Sequence, residues 1–202
     1  LDQLVVSFTH RLINQGISPG KYVAILSDNS IEYVALLIAL LRCGAVAVPL
    51  NTRLSSAELG LQKSKIDLAL MLADDANLTK AGEIASEPAL ISSLANPTQC
   101  SNGDLQAINL ELDRNSFVVF TSGSSGSAKG VILSLGNLYY SALGSNENIP
   151  LLPQDTWLLS LPLFHVGGLG VLFRCLLAAS QIFVAQRFEV ESTNRLLDSG
   201  EV

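Results

Sequence analysis

Apolar residues along this chain alternate between short continuous runs and stretches with helical spacing. The run Tyr22–Leu26 follows the turn signal Ser18-Pro19-Gly20, which predicts a buried strand. Side chains that cap helix N-termini follow at positions 28–30. Apolar residues then recur at helical spacing as far as Gly44, which predicts a capped helix. The valine-rich run Ala45–Leu50 predicts a second strand that Pro49 stops.

The order strand, helix, strand predicts a parallel pair joined by a right-handed crossover. A shorter helix is predicted next, with Ser55 or Ser56 as its cap and Glu58 in its first turn. Residues 67–72 predict another strand. Between residues 74 and 114 the pattern dissolves into small and polar residues, which predicts a loosely structured connection containing one helix.

Regular alternation returns in the second half of the chain. The pattern predicts strands at 117–121, 157–161 and 181–185, a further apolar run at 130–133, helices at 137–143 and 166–179, and one more helix after residue 189. The whole of 1–202 therefore predicts an α/β fold, in which a layered, mainly parallel sheet carries helices on both faces.

Composition supports a folded chain and narrows the class of partner. Hydrophobic residues make up 49% of the chain and charged residues 15%, which is typical of a protein with a large core. A net charge of −6 gives no reason to expect nucleic acid as a partner, so an anion site has to be built locally. The apolar run Tyr33–Leu41 stops at Arg42, short of the roughly 20 residues of a membrane span. Lys63 and Lys65 are expected to be solvated.

The three cysteines, Cys43, Cys100 and Cys175, are odd in number, far apart, and lack the CxxC spacing of a metal or redox site. No metal ligands are therefore predicted. Cys43 and Cys175 lie in apolar stretches, which predicts buried, reduced thiols. Reduced thiols fit a reducing compartment, so a cytoplasmic location is expected.

The segment 120–130, FTSGSSGSAKG, has the composition of a phosphate-binding loop. Its glycines let an anion approach the backbone N–H groups, and its hydroxyls and one lysine add further donors. Oriented donors of this kind form a concavity that binds anions. The candidate nucleotide-binding residues are Thr121, Ser122, Gly123, Ser124, Ser125, Gly126 and Lys129.

The amino-acid sequence of this segment excludes three well-known functional loop motifs. A Walker A loop needs GxxxxGK followed by Ser or Thr, but Gly130 follows Lys129. The GxSxG elbow of hydrolases and the Rossmann GxGxxG are also absent. A flexible Gly/Ser linker is the structural alternative. The loop is short and lies between two apolar runs, whereas linkers more often join separate domains.

The loop resembles the signature TSG[ST]TGxPKG of the adenylate-forming superfamily, which includes acyl- and aryl-CoA ligases, luciferases and peptide-synthetase adenylation domains. It departs at Ser125, where Thr is usual, at Ala128, where Pro is usual, and at Leu135, where many members have His. The stretches 30–53 and 161–165 resemble two further blocks of the family in the same order and spacing. The resemblance therefore covers nearly the whole chain.

The segment LSLPLFHVGGLG, followed by Arg174, most resembles the o-succinylbenzoate–CoA ligases of menaquinone or phylloquinone biosynthesis. The resemblance implies that His165 is catalytic, lining the carboxylate site and placing the acid near the α-phosphate. Gly167 and Gly168 would form a thin wall for the acyl group, and Arg174 would pair with a substrate carboxylate. Judged alone, the same residues also fit a core histidine, close helix packing and a helix arginine with a surface partner.

The activity that the resemblance implies is that of an acid–CoA ligase. A carboxylic acid, ATP with Mg²⁺, and CoA as cosubstrate would be its small-molecule partners, with no nucleic acid and no membrane span. Three alternatives remain from the sequence: a non-catalytic nucleotide-binding module, a fatty-acyl- or aryl-CoA ligase of the same superfamily, and a structural α/β domain whose Gly/Ser loop binds nothing.

Family members are more than twice as long as this chain, which begins with Leu rather than Met. We therefore expect an N-terminal portion of the family's large domain, without the C-terminal domain. Such a fragment is expected to be inactive alone. It would also expose apolar surface and could assemble as a homo-oligomer.

Overall fold

The computed structural model describes residues 1–95, 110–121, 128–200 and 202. The strands are β1 (Tyr22–Leu26), β2 (Val46–Pro49), β3 (Leu68–Ala73), β4 (Ala89–Leu90), β5 (Asn115–Thr121), β6 (Lys129–Ser134), β7 (Thr156–Leu159) and β8 (Gln181–Val184). The helices are α1 (Asp2–Asn14), α2 (Ile31–Cys43), α3 (Ser56–Lys63), α4 (Leu78–Gly82), α5 (Leu135–Asn148), α6 (Val166–Ala178) and α7 (Val190–Ser199), with a 3₁₀ helix at Ile91–Leu94.

The described strands form two sheets. The main sheet has the order β4-β3-β1-β2-β5-β6, and its neighbours run parallel except for the antiparallel pair of β5 and β6. Strands β7 and β8 pair in parallel as a separate small sheet. The predicted α/β architecture with a mainly parallel sheet is confirmed. The division into two sheets was not predicted, because an apolar run does not specify which strand pairs with it.

Capping explains where the first crossover helix begins and ends. The hydroxyl of Ser30 accepts a hydrogen bond from the backbone N–H of Tyr33 at 3.0 Å, which satisfies a free donor at the start of α2. Gly44 ends the helix in the left-handed region, with φ of 72°. The strands on either side are almost fully buried. The predicted strand, helix and strand are confirmed here.

The helix α3 has Ser55, one of the two predicted caps, as its N-cap, and its first turn forms a capping box. The backbone N–H and the hydroxyl of Ser55 donate to the Glu58 carboxylate, at 2.9 and 2.6 Å, and the Glu58 N–H donates back to the Ser55 hydroxyl. These bonds from the side chain and backbone of Ser55 lower the pKa of Glu58. The box fixes the direction of α3, which matters because one face of this helix borders the candidate site.

The described part of the stretch 74–114 is more regular than the sequence predicted. It contains α4, the 3₁₀ helix, and β4, which pairs with β3 at the edge of the main sheet. Ile91 and Leu94 are buried in the core. Elements this short do not span enough residues to show a period, which is why the pattern did not reveal them.

Two hydrophobic clusters cover the two faces of the main sheet. Alternation along β5 separates them: Phe117 and Val119 belong to one cluster and Val118 to the other. The first cluster also contains residues of α1, α2, α5 and α6, and the second contains residues of α3 and α4. Phe117 meets Phe173 of α6 edge to face, with ring centroids 5.9 Å apart. One continuous core therefore joins α6 and the small sheet to the main sheet.

Cys43 and Cys175 are buried and unbridged, as predicted. Burial raises the pKa of the Cys43 thiol to about 11 and also raises that of Cys175, so both stay protonated near neutral pH. Cys100 lies outside the described residues. None of the described helices combines the length and the apolar character that crossing a bilayer requires.

The left-handed turn at Gly44 predicts a position-specific effect on stability. A Cβ at this position would meet Pro19 carbons at 3.1 Å, and a φ of 72° strains any L-residue by about 1–2 kcal/mol. We therefore expect Gly44→Ala to lower the free energy of unfolding by at least about 1 kcal/mol. Gly60→Ala, in open space within α3, should instead be neutral or stabilising by roughly 0.5–1 kcal/mol.

Urea unfolding of the two variants measures this contrast through their midpoints. Equal midpoints would mean that the Gly44 turn relaxes to accept a side chain.

Candidate active site

A cavity of about 670 Å³ opens where the carboxyl ends of β2 and β5 face α3 and the turn before α6. Its volume lies within the roughly 300–1,000 Å³ of small-molecule sites. Ligands bind outside the carboxyl ends of strands in open α/β sheets, so the location is typical of a ligand site. The cavity is lined by Pro49, Asn51, Leu54, Glu58, Leu61, Gln62, Ser64, Lys65, Phe120, Thr121, Ala128, Phe164 and His165.

Both described ends of the candidate phosphate loop lie at this cavity. Thr121 and Ala128 line it, and Thr121 pairs with Lys129 across the antiparallel strands β5 and β6. The Thr121 hydroxyl donates to the Lys129 carbonyl at 3.4 Å. The pairing holds the loop ends together at the cavity edge, although Lys129 itself is not a lining residue. Five predicted loop residues lie outside the described ranges: Ser122, Gly123, Ser124, Ser125 and Gly126.

A lysine that the sequence analysis treated as solvated contacts this loop end. The Lys65 ammonium donates to the backbone carbonyl of Ala128 at 2.5 Å, and its side chain lines the cavity. Lys63 is exposed and is not a lining residue. The expectation for Lys65 therefore needs correction: it is exposed to water, but it also joins α3 to the loop.

The sequence pattern did not predict that α3 forms one wall of the cavity. Glu58, Leu61, Gln62 and Lys65 are spaced i, i+3, i+4 and i+7, so they share one side of the helix and the turn after it. The side chain of Gln62 is 5% exposed, and its Oε1 has no hydrogen-bond partner among the described atoms. This spacing was the available signal. It marks a shared face but does not reveal that the face borders a cavity.

His165 lines the cavity from the turn before α6, on a different element from α3 and the loop ends. It is the N-cap of α6, and its backbone N–H donates to the Pro162 carbonyl at 3.0 Å. The ring packs edge to face against Phe164, with centroids 4.5 Å apart. Desolvation and, secondarily, the positive charge of Arg53 lower the pKa of His165. His165 is exposed at the cavity and is not a core histidine, and its imidazole is neutral near pH 7. Its catalytic role stays a prediction.

Of the two glycines after His165, Gly168 is required by close packing. A Cβ on Gly168 would lie 2.3 Å from the Pro162 carbonyl oxygen, and one on Gly167 would lie 3.2 Å from the Leu161 side chain. Neither glycine lines the cavity. The close approach of α6 to the preceding turn accounts for Gly168, which is the packing alternative left open by the sequence.

Arg174 is held inside the protein, away from the cavity. Its Nε donates to Asn146 Oδ1 and its Nη2 donates to the Ile149 carbonyl, both at 3.0 Å. The guanidinium also stacks over the Trp157 ring at 4.3 Å, and the residue is 9% exposed. The position of Arg174 on α6 turns its guanidinium toward α5 and β7, which does not support the expected pairing with a substrate carboxylate, and that role stays a prediction.

Comparison with known proteins identifies relatives along nearly the entire chain. A family model described as AMP-binding enzyme matches residues 1–199. A 2-succinylbenzoate–CoA ligase of Bacillus cereus is 32% identical over 203 residues, covering 98% of this chain and 40% of the relative. A ligase of the same name from Bacillus mycoides is 32% identical over 201 residues. The chain thus spans about two fifths of the length of these curated relatives.

Solved structures agree with the sequence comparison. The o-succinylbenzoate coenzyme A synthetase of Bacillus subtilis in complex with AMP superposes with a TM-score of 0.85 at 29% identity, covering 98% of this chain and 52% of that one. The same enzyme with the acyl-adenylate intermediate OSB-AMP superposes at 0.85 and 28% identity over the same shares. Its complex with ATP and magnesium ion superposes at 0.82 and 28% identity, covering 98% and 53%.

The environment of His165 predicts its titration. Its pKa should lie below the ordinary value of 6.5, and Arg53→Gln should raise it only partway, because desolvation is the larger cause. Glu58 and Lys65 also face the cavity, and both are unchanged in this variant. The unfolded chain takes up the proton first as pH falls. Stability from the neutral ring is therefore complete above pH 6.5 and is lost as pH falls through the lowered pKa.

Imidazole NMR shifts followed from pH 4 to 8 measure the midpoint. A midpoint at or above 6.5 would contradict this assignment.

The close packing at Gly168 predicts a contrast with Gly170. Gly168→Ala places a methyl group against the Pro162 carbonyl and should destabilise the fold by about 1–3 kcal/mol. Gly170→Ala meets nothing within 4 Å and should be tolerated, with a gain of up to about 1 kcal/mol from helix propensity. Thermal unfolding of both variants checks this, and similar melting temperatures would show that the turn before α6 moves to accept a side chain.

Proposed function

This chain belongs to the AMP-binding enzyme family, and we propose that the protein containing it is an ATP-dependent acid–CoA ligase that acts on o-succinylbenzoate. One arrangement carries the proposal: the ends of the phosphate-binding loop and His165 border the same cavity at the carboxyl edge of the main sheet. The choice of acid is supported by the similarity to ligases named for 2-succinylbenzoate along 98% of the chain.

The first proposed step joins the acid to the nucleotide. A carboxylate oxygen attacks the α-phosphorus of ATP, the bond between the α-phosphorus and the bridging oxygen breaks, and pyrophosphate leaves with the electron pair. The product is the acyl-adenylate. No covalent bond to the protein forms, so the protein contributes mainly by holding the reacting groups in line and by stabilising charge.

The loop between β5 and β6 is proposed to bind the β- and γ-phosphates. Lys129 is the single charged residue of segment 120–130, and it follows the hydroxyl- and glycine-rich part of the loop. A net charge of −6 gives this protein no long-range attraction for ATP, so binding has to come from such local donors. Pairing of Thr121 with Lys129 at the cavity edge supports this role, because it anchors both ends of the loop.

The opposite wall is proposed to hold the carboxylate. A neutral His165 offers one N–H donor, which can hydrogen-bond a carboxylate oxygen and keep it near the α-phosphorus. The rings of Phe120 and Phe164 line the cavity beside it. Their apolar surface excludes water, which protects the reactive acyl-adenylate from hydrolysis.

Mg²⁺ enters the proposal as part of the MgATP substrate, where it neutralises phosphate charge. The described residues contain no group of three or more His, Cys, Asp or Glu side chains that could hold a metal ion. We therefore assign no residue of this chain as a Mg²⁺ ligand and derive no step from the ion.

The second proposed step forms the thioester. The CoA sulfur attacks the acyl carbon of the adenylate, the bond from that carbon to the AMP oxygen breaks, and the thiol proton is released. The chain spans about two fifths of its curated relatives, and the groups that would bind CoA are not assigned to it. The unbridged Cys43 and Cys175 support the cytoplasm as the proposed compartment.

Acid-dependent exchange of labelled pyrophosphate into ATP tests the first step. We expect the full-length protein to catalyse this exchange with o-succinylbenzoate and, when CoA is added, to form its CoA thioester. Lys129→Ala should reduce the exchange about 10- to 100-fold, since a charge-assisted hydrogen bond contributes about 1.5–3 kcal/mol. The matched control Lys63→Ala removes an exposed lysine of α3 that does not line the cavity, and it should leave exchange unchanged.

The choice of acid decides between the candidate activities. Exchange with benzoate or a long-chain fatty acid but not with o-succinylbenzoate would reassign the substrate within the family. ATP binding without exchange for any acid would favour a non-catalytic nucleotide-binding module. Full activity in Lys129→Ala would remove the proposed phosphate contact.

A further inference from the structure

A buried side-chain amide joins the main sheet to the small sheet. Asn29 lies in the turn between β1 and α2 and is 5% exposed. Its Nδ2 donates to the backbone carbonyl of Leu161 at 2.9 Å and to that of Ala185 at 3.3 Å. Its Oδ1 accepts from the backbone N–H of Leu163 at 2.9 Å. All three partners lie more than 130 positions away along the chain.

The chemistry of these partners requires an amide. Two backbone carbonyls face the donor end of Asn29, and one N–H faces its acceptor end, which also fixes the orientation of the amide group. A carboxylate in this place would meet two carbonyl oxygens and could donate to neither. An apolar side chain would leave three backbone groups without these partners, and buried backbone groups are rarely left unpaired.

The hydrogen bonds of Asn29 act on the segment that carries His165. Leu161 lies two residues after the end of β7, and Ala185 directly follows β8. One amide therefore holds the carboxyl ends of both strands of the small sheet. Leu163 is fully buried and lies two residues before His165. The backbone N–H of His165 returns to the Pro162 carbonyl, so the segment 161–165 is a compact turn whose position the amide sets.

We propose that Asn29 is a positioning residue for the adenylation reaction: its amide holds the turn 161–165 against the main sheet and thereby places His165 at the cavity that the loop ends Thr121 and Ala128 also line. The proposal rests on the proposed function. Asn29 does not line the cavity and acts through the turn. The phosphate loop is anchored separately, by β5 and β6, so the amide governs the distance between the carboxylate wall and the phosphate wall.

The role predicts a distinctive kinetic effect. Displacement of His165 by about 1 Å should cost up to about 100-fold in the chemical step, because reacting groups must be held in near-attack geometry. The KM for ATP should stay unchanged, since the proposed phosphate contacts come from the loop. The KM for the acid should rise together with the fall in kcat.

The test compares Asn29→Asp and Asn29→Ala with the matched control Ser30→Ala in the full-length protein. Asn29→Asp keeps the shape of the side chain and removes both donors. Ser30→Ala changes the next residue and removes the cap hydrogen bond to Tyr33, but it leaves the contacts with the turn 161–165 intact. Asn29→Ser, which is smaller and uncharged, extends the comparison if Asn29→Asp does not fold.

Two measurements are made on each folded variant. Pyrophosphate exchange with o-succinylbenzoate gives kcat and both KM values. NMR titration of His165 reports the surroundings of its ring, because a turn released from the main sheet loses the partial desolvation that lowers the pKa, which then moves back toward 6.5.

The proposal expects the Asn29 variants to lose about 10- to 100-fold in kcat, to keep the KM for ATP and to raise the pKa of His165. Ser30→Ala is expected to change neither kcat nor the pKa of His165. It is overturned if the Asn29 variants keep wild-type kcat, or if they and Ser30→Ala lose activity equally while His165 titrates normally. Absence of exchange in the unsubstituted protein overturns the proposed function, and this role of Asn29 with it. Exchange at the wild-type rate in the Asn29 variants overturns the role of Asn29 alone.

Discussion

The candidate site depends on the contact between the main sheet and the small sheet. The Asn29 amide holds the ends of β7 and β8 through three hydrogen bonds, and the edge-to-face pair of Phe117 and Phe173 extends the same contact through the core. The cavity forms between these two bodies of structure. One wall comes from β2, β5 and α3, and the other from the turn that carries Phe164 and His165. The two kinds of contact therefore have complementary roles. Burial of apolar side chains holds the two sheets together, and the directional hydrogen bonds of Asn29 set the position of one sheet relative to the other.

The proposed function requires an acidic chain to bind anions, which sets the electrostatic demands on the site. The chain as a whole repels ATP and a carboxylic acid, so attraction has to be concentrated at one place. Cationic side chains occur around the cavity. Lys65 contacts the loop end, and the charge of Arg53 lowers the pKa of His165. The neutral state of His165 is consistent with this neighbourhood, because partial desolvation at the cavity and the nearby charge of Arg53 both oppose a positive charge on the ring. A neutral imidazole still donates one hydrogen bond, which is the interaction that the proposed carboxylate contact requires.

Comparison of Arg174 and Lys65 shows how far residue type alone can predict a role. Arg174 follows the glycine-rich segment, which suggested a partner for a substrate carboxylate. Its guanidinium instead donates hydrogen bonds to Asn146 and Ile149 and stacks over Trp157. A lysine in a polar stretch suggested a solvated charge, yet it reaches the carbonyl of Ala128. Both outcomes depend on which element lies opposite the side chain. Sequence spacing places a residue on a face of its own helix, but the neighbour of that face is decided by packing.

The sequence by itself determined the local elements and the family resemblance. Ser30, Gly44 and the pair Ser55 and Glu58 mark helix ends through hydrogen bonds within a few residues, so the signals are complete in the sequence. The tertiary structure decided the pairing of β7 with β8 in a separate sheet, the α3 wall of the cavity, and the position of His165. These features rest on contacts between residues far apart in the chain, such as Asn29 with Leu163. Apolar periodicity predicts that a residue is buried, but it does not predict which element the residue packs against.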